Sequence, residues 1–201
     1  MDRGFIRGEI IFSEGDEGNG FYVVISGKVK IFKLSSEGKE QILHIFGPGS
    51  PFGEVPVFSG EHFPAYAETL EESRILFIPR ADFIDLITRN PLLALNMLAV
   101  LSRRLRTFTV LIENLSLKEV PGRLAVYLLF LSEQGKGIDD FTLDISKNQL
   151  ASLLGTIPET LSRILSRMDR EEFIKSTAPR HIKILDRKGL EELASGERRL
   201  T

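Results

Sequence analysis

Apolar positions change their period twice along the chain, and the changes divide it into three regions. Over residues 8–79, short apolar runs ("EIIF", "GFYVVI", "KVKIF", "QILHIF", "RILFI") are separated by Gly15, Gly18, Gly27, Gly38, Gly47, Gly49, Gly53 and Gly60. Lys28-Val29-Lys30-Ile31 alternates polar with apolar, as a half-buried strand does. Short strands divided by turn signals predict a small antiparallel barrel or sandwich. After Pro79 the period lengthens. "RADFIDLITRN" predicts a short helix closed before Pro91, a good first-turn residue for the next one. From there Ala94, Leu98, Leu101, Leu105, Phe108, Ile112 and Leu115 recur in steps of 4, 3, 4, 3, 4 and 3. This is a heptad seam about three heptads long, on a helix of roughly 40 Å. Such a helix could pack on its own barrel or pair with a second copy. The seam is too long for the preceding region to cover, so a two-stranded coiled coil between protomers is expected.

"LKEVPG" (Leu117 to Gly122) breaks the pattern and marks a domain boundary. Beyond it, "RLAVYLLFLSEQ" predicts an apolar helix, "GKGIDDF" a loop, and residues 146–174 two further helices. "FIKSTAPRHIKIL" reads as two strands around a proline-containing turn, and "DRKGLEELAS" as a last helix. The division is therefore 1–90, 91–117 and 118–201, in an α+β chain.

Composition narrows the function classes. The 201 residues are 42% hydrophobic and 27% charged, with a net charge of −2. No global charge draws the chain to nucleic acid, so any such contact must be a local patch. The absence of cysteine removes disulfides, thiolate zinc sites, iron–sulfur clusters and thiol catalysis together. No signal-like N-terminal run and no apolar stretch of about 20 residues is present. Arg103, Arg104 and Arg106 further exclude the long helix as a membrane span, and the expected compartment is the cytoplasm.

Local chemistry concentrates in "LASLLGTIPETLSRILSRM" (Leu150 to Met168). Ser146 and Gln149 form a capping-box signature that predicts a helix start, Gly155 supplies a turn, and Pro158 opens a second helix. On that helix Leu161, Ile164, Leu165 and Met168 share one face. Glu159, Ser162 and Arg163 share another, which Arg167 and Arg170 continue. A recognition helix needs this layout: arginine can chelate guanine, glutamate can accept from cytosine, and serine can lie against thymine. Between Ser146 and Lys183, seven Lys/Arg stand against four Asp/Glu, a local net of +3. Ser146, Lys147, Thr160, Arg167, Arg180 and His181 are candidates for backbone contacts, and the strand pair carrying Lys175 and Lys183 suits a wing. Thr156 and Glu159 also fit a capping box, which would make Glu159 a structural cap.

"LASLLGTIPETLSRILSRMDREEFI" resembles the helix–turn–helix of the CRP/FNR superfamily of bacterial transcription factors. "GEIIFSEGDEGNGFYVVISGKVKIF" resembles its cyclic-nucleotide-binding β-roll, and "VPGRLAVYLL" its hinge. The resemblance implies an N-terminal jelly-roll sensor, a long dimerisation helix and a C-terminal winged helix–turn–helix. It also implies a homodimer on pseudo-palindromic double-stranded DNA, with RNA polymerase as partner and no membrane role. Glu159, Ser162 and Arg163 take the base-reading places. The E-x-x-S-R form is similar to the FNR branch, whose half-sites resemble TTGAT; the cyclic-AMP branch has an arginine where Pro158 stands. Members carry more residues ahead of the roll than this chain, which leaves open whether its N-terminus is shortened.

The sensor departs from the family. In members similar to the cyclic-AMP receptor, a glutamate holds the ribose and an arginine–serine pair the cyclic phosphate. "PFGEVPVFSGEHFPAYAETLE" keeps Gly53 and Glu54 but places Phe63, Pro64 and Ala65 where that pair should be, with no Lys or Arg between Lys39 and Arg74. A buried phosphate without a cation is costly, so cyclic AMP is not expected, and Gly53 and Glu54 read as a turn with a satisfied carboxylate. Haem-based gas sensing is the alternative, with His62 a better axial ligand than His44, which sits in an alternating strand. A small apolar or organic-acid effector, or none, is otherwise expected, and the uncharged segment favours an apolar or planar ligand over an anion. An enzyme is not expected, since His44, His62 and His181 are too scattered for a metal site and no P-loop or dinucleotide fingerprint occurs. A non-DNA ligand-binding regulatory module is the remaining rival.

Overall fold

Strands β1 (Asp2–Phe5), β2 (Ile10–Phe12), β3 (Gly20–Ser26), β4 (Val29–Leu34), β5 (Glu40–Phe46) and β6 (Pro51–Phe52) are followed by the short helix α1 (Val55–Ser59). Next come β7 (Tyr66–Thr69), β8 (Ser73–Pro79), α2 (Arg80–Arg89) and the long α3 (Pro91–Leu117). Then follow α4 (Val120–Gln134), β9 (Asp140–Thr142), α5 (Lys147–Leu153), α6 (Pro158–Arg170), β10 (Ile174–Ala178), β11 (His181–Ile184) and α7 (Arg187–Ser195). This computed structural model describes residues 1–178 and 180–200. Pro179, the expected turn residue of the last strand pair, lies outside them with Thr201. Two units are distinguished, Met1–Phe108 and Thr109–Thr201, so α3 contributes to both.

The first unit is a roll of two four-stranded sheets, ordered β1-β8-β3-β6 and β2-β7-β4-β5 and antiparallel throughout. Alternating residues of both sheets meet between them, and Phe5, Phe12, Val24, Val29, Phe46, Phe52, Phe63, Ala67 and Ile75 form the core. A second cluster of Phe21, Val57, Phe83 and Met97 lies where α1, α2 and the start of α3 cover the roll. Alternation misleads at Lys30, which the pattern assigns to a solvated face. It is buried, paired with Glu40 and Glu68 and lying 4.3 Å from the Phe32 ring centroid. The two carboxylates make burial of that ammonium tolerable.

Beyond Met97, α3 leaves its seam largely open within the chain. Leu98 is 58% and Ile112 64% exposed, while Leu101, Phe108 and Leu115 are half-buried. No single helix among the described residues is long and apolar enough to cross a membrane.

In the second unit α4 packs on α7, and Gly122 permits the approach: a Cβ there would lie 2.9 Å from the Leu193 carbonyl oxygen. Leu124, Leu128, Leu150, Leu161, Met168, Phe173 and Leu190 are fully buried. Each contributes roughly 1.5–3 kcal/mol by leaving water. The expected loop "GKGIDDF" is partly a strand. β9 pairs with β11 (Ile182 opposite Phe141) and completes a sheet ordered β10-β11-β9. A strand of three residues, Asp140-Phe141-Thr142, with a single apolar side chain carries no period to detect. Beside it, the Asp139 carboxylate accepts from Arg187 at 2.6 Å and from Ser132 at 2.8 Å, fastening α4 to α7. Arg187, above all, holds that carboxyl below the usual range.

Candidate functional site

The helix pair of the second unit is built from local rules. Ser146 caps α5 reciprocally with Gln149: the Gln149 N–H donates to Ser146 Oγ at 3.2 Å and the Ser146 N–H to Gln149 Oε1 at 2.7 Å. Gly155 turns the chain at φ +67°, a conformation that favours glycine. α6 then starts at Pro158 with Ile157 as its N-cap. The Thr156–Glu159 capping box therefore does not form. Proline at the first helical position moves the start one residue beyond the place such a box requires, and Glu159 keeps a free, exposed side chain.

Leu161, Leu165 and Met168 of α6 are buried, with Ile164 half-buried beside them. Glu159, Arg163, Ser166 and Arg170 are exposed on the opposite side, and Ser162 is half-buried. Ser162, Arg163, Ser166, Arg167 and Arg170 line one shallow depression. Ser166 was not singled out from sequence, although it lies four residues after Ser162 on the same face. Arg163 Nη2 donates to Thr160 Oγ1 at 3.1 Å, and Arg167 Nε to Glu171 Oε1 at 3.3 Å. Both guanidiniums are thus directed along the helix before any ligand arrives.

A second concavity brings together Ser146, Lys147 and Arg180, three of the expected backbone-contact residues, with Ser176, Thr177 and Ala178. Sequence reading missed Ser176 and Thr177, because their placement depends on the register of β10 against α6. That register is pinned by Asp169, whose carboxylate accepts from Lys175 Nζ at 2.9 Å and from the Ser176 N–H at 3.1 Å. The lysine, chiefly, holds the Asp169 carboxyl below its ordinary range, and the pairing offsets the poor fit of an anion at a helix C-terminus. His181 is more occupied than expected. Its Nε2 lies 2.6 Å from Asp140 Oδ1 and its Nδ1 3.0 Å from Thr142 Oγ1, which turns the ring toward β9. The arrangement offers hydroxyls and cations to phosphate oxygens, beside a carboxylate and a guanidinium suited to base edges.

In the roll, the candidate effector residues separate. Phe63 and Ala65 are buried, whereas His62 and Pro64 are exposed. The Phe63 ring stacks on Phe12 with centroids 3.8 Å apart and planes 9° from parallel. Gly53 sits at φ +70°, and a Cβ there would lie 3.0 Å from Phe12 and 3.2 Å from both Phe63 and Tyr22. Glu54 is buried and paired with Arg104 of α3, which also donates to the Pro51 carbonyl at 2.7 Å and lies 4.6 Å from the Phe46 ring centroid. The carboxylate is satisfied, as the sequence suggested, by a cation that arrives from 50 residues away. Among the described residues, no group of three or more His, Cys, Asp and Glu could hold a metal ion.

His44 lies on β5 with its ring 4.3 Å from that of Phe46. Burial first, and Arg104 second, press its pKa from 6.5 to about 4. The unfolded chain therefore takes up a proton as pH falls below 6.5, and the folded chain resists until about 4. Between those values the unfolded state binds more protons, so stability is complete above the window and declines through it. The loss reaches up to about 3 kcal/mol. Thermal melts on a pH series should trace this limb, and His44→Phe should flatten it. A variant with an unchanged acid limb would assign the loss to other groups.

Comparison with known proteins places these features. The cyclic nucleotide-binding domain family matches residues 3–90, and the Crp-like helix-turn-helix domain family matches residues 122–193. The chain is 37% identical over 190 residues to the cyclic AMP receptor protein of Thermus thermophilus, covering 94% of this chain and 86% of that one. It is 30% identical over 194 residues to the fumarate and nitrate reduction regulatory protein of Vibrio cholerae, covering 94% and 76%. A solved CRP/FNR-family transcriptional regulator, also from Thermus thermophilus, superimposes with a TM-score of 0.75 at 28% identity, covering 97% and 98%. Similarity along the whole chain thus does not favour the FNR branch that the recognition helix resembles.

Proposed function

Because the chain belongs to the CRP/FNR superfamily of transcription regulators, with a DNA-binding helix–turn–helix and no enzymatic role, we propose that it is a homodimer reading a pseudo-palindromic, TTGAT-like promoter site. Glu159, Ser162 and Arg163 read base edges. Ser146, Lys147, Thr160, Arg167 and Arg180 hold the phosphate backbone, and RNA polymerase is the partner so recruited or blocked in the cytoplasm. The supporting observation is the division of α6. Its buried side fixes it to the domain, and its uncapped Glu159 and exposed Arg163 face away from that core. The half-open seam of α3 supports the dimer, since two symmetric helices about 34 Å apart would meet successive turns of one DNA face. Haem sensing draws less support, because His62 is exposed and the His44 ring lies on Phe46.

A mobility-shift titration on a TTGAT palindrome tests the reading. Arg163→Ala should lose ~1–3 kcal/mol per half-site, roughly tenfold to a hundredfold, through the missing guanine contact. Salt-sensitive binding to random duplex should persist through the phosphate contacts. Equal affinity of wild type and variant for the palindrome would remove Arg163 from the base-reading set.

A further inference from the structure

We propose that Phe63 is a built-in occupant of the roll, so that the roll takes no cyclic nucleotide and the protein binds its DNA site without any small-molecule effector. The DNA half of this inference rests on the reading proposed above. Three sets of contacts carry it. The ring is 4% exposed and stacked on Phe12 at 3.8 Å, beside Tyr22 at 6.5 Å between centroids. Its backbone is stitched on both sides to the turn after β2: the Phe63 N–H donates to the Asp16 carbonyl at 3.0 Å, and its carbonyl accepts from the Gly15 N–H at 2.9 Å. Lys33 Nζ holds the next carbonyl, Pro64 O, at 3.1 Å and is itself paired with Glu14. The segment is therefore anchored as part of the core.

The third set concerns the link from this site to α3. A bound effector can change a protein only through contacts it makes better in one state than in another. Here the link from β6 and the turn after it to α3 is made by protein groups, through Arg104 on Pro51 O and on Glu54. An entering nucleotide would have to unstack Phe63 and compete with Arg104 for Glu54. Of the cations that reach this segment, Arg104 is already engaged by the buried Glu54 and Lys33 lies partly exposed, shared between Glu14 and Pro64 O, and a buried phosphate lacking a cation is strongly disfavoured.

The test uses the full chain. Calorimetric titration with cyclic AMP and with cyclic GMP should give no binding heat up to millimolar nucleotide. Neither nucleotide should change the affinity for a fluorescent TTGAT palindrome. Phe63→Ala should weaken that affinity about tenfold by lowering the population of the competent state. Benzene should enter the vacated apolar space, raise the melting temperature of Phe63→Ala but not of wild type, and restore its DNA affinity. Phe63→Leu, which keeps most of the volume, should fold and lose less. Saturable binding of either nucleotide by wild type would overturn the proposal. So would alanine and leucine variants that match wild type and ignore benzene. The calorimetric and melting arms need no DNA. A wild type that fails to bind the palindrome would therefore sink the DNA reading, while these arms still decide whether Phe63 fills the roll.

Discussion

Glutamate at both Leu98 and Ile112 is expected to convert the protein from dimer to monomer and to weaken binding to a palindromic duplex a hundredfold or more. The two side chains are 58% and 64% exposed within the chain, so the substitution disturbs little of its own packing. In a two-stranded coil each would be covered by its counterpart, with roughly 1.5–3 kcal/mol of burial per side chain. Two carboxylates per helix, brought against two more across the seam, replace that gain with repulsion. The DNA effect follows from linkage: a dimer's second recognition helix binds at high effective concentration, and a monomer forfeits a factor of about 10² to 10⁴. Light scattering after size exclusion reads the first effect and anisotropy titration the second, with circular dichroism checking that helix content is retained. A variant that stays dimeric would place the dimer contact elsewhere.

That seam was legible because a heptad pattern needs nothing outside its own helix. The same holds for the Ser146–Gln149 capping box and for the two faces of α6, where every relevant pair lies within four residues. Legibility ends where partners are remote or elements are too short for a period. β1 reads Asp-Arg-Gly-Phe, with one apolar residue in four, and is a strand because β8 offers it a backbone edge. β6, β7 and α1 are two, four and five residues long. β9 pairs with a strand about forty residues later, so it too leaves no local trace.

The candidate sites divide in the same way. Glu159, Ser162 and Arg163 needed only helical geometry, whereas the groove that joins Ser146 and Lys147 to Ser176 and Thr177 needed the wing brought back by Asp169. In the roll, the stretch from Lys39 to Arg74 is empty of cations, and that much was visible. The sequence could not announce that Lys33 and Arg104 reach it from β4 and α3, or that each comes with its charge already matched.

The Arg104–Glu54 pair carries the largest expected stability effect. Their side chains are 13% and 8% exposed, so water screens the pair weakly. Arg104→Met removes the cation and leaves the Glu54 carboxylate buried without its partner, a change that typically costs about 3–5 kcal/mol. For a chain of this size the roll should melt roughly 10 °C lower. Arg104→Lys should fall between, because an ammonium keeps the charge but loses the fork that reaches Pro51 O and the flat contact with Phe46. Combining Arg104→Met with Glu54→Gln should recover much of the loss, since no buried charge then remains unmatched, and the double-mutant cycle gives the coupling directly. His44 supplies an independent check. Arg104 is the second cause, after burial, of its depressed pKa. Without that charge the folded-state value moves back toward 6.5, and the stability lost on acidification shrinks. Measured in the Arg104→Met/Glu54→Gln protein, where no unpaired buried carboxylate is left to take up a proton, the acid limb should therefore be shallower than that of wild type. An unchanged limb would mean that burial alone sets the histidine.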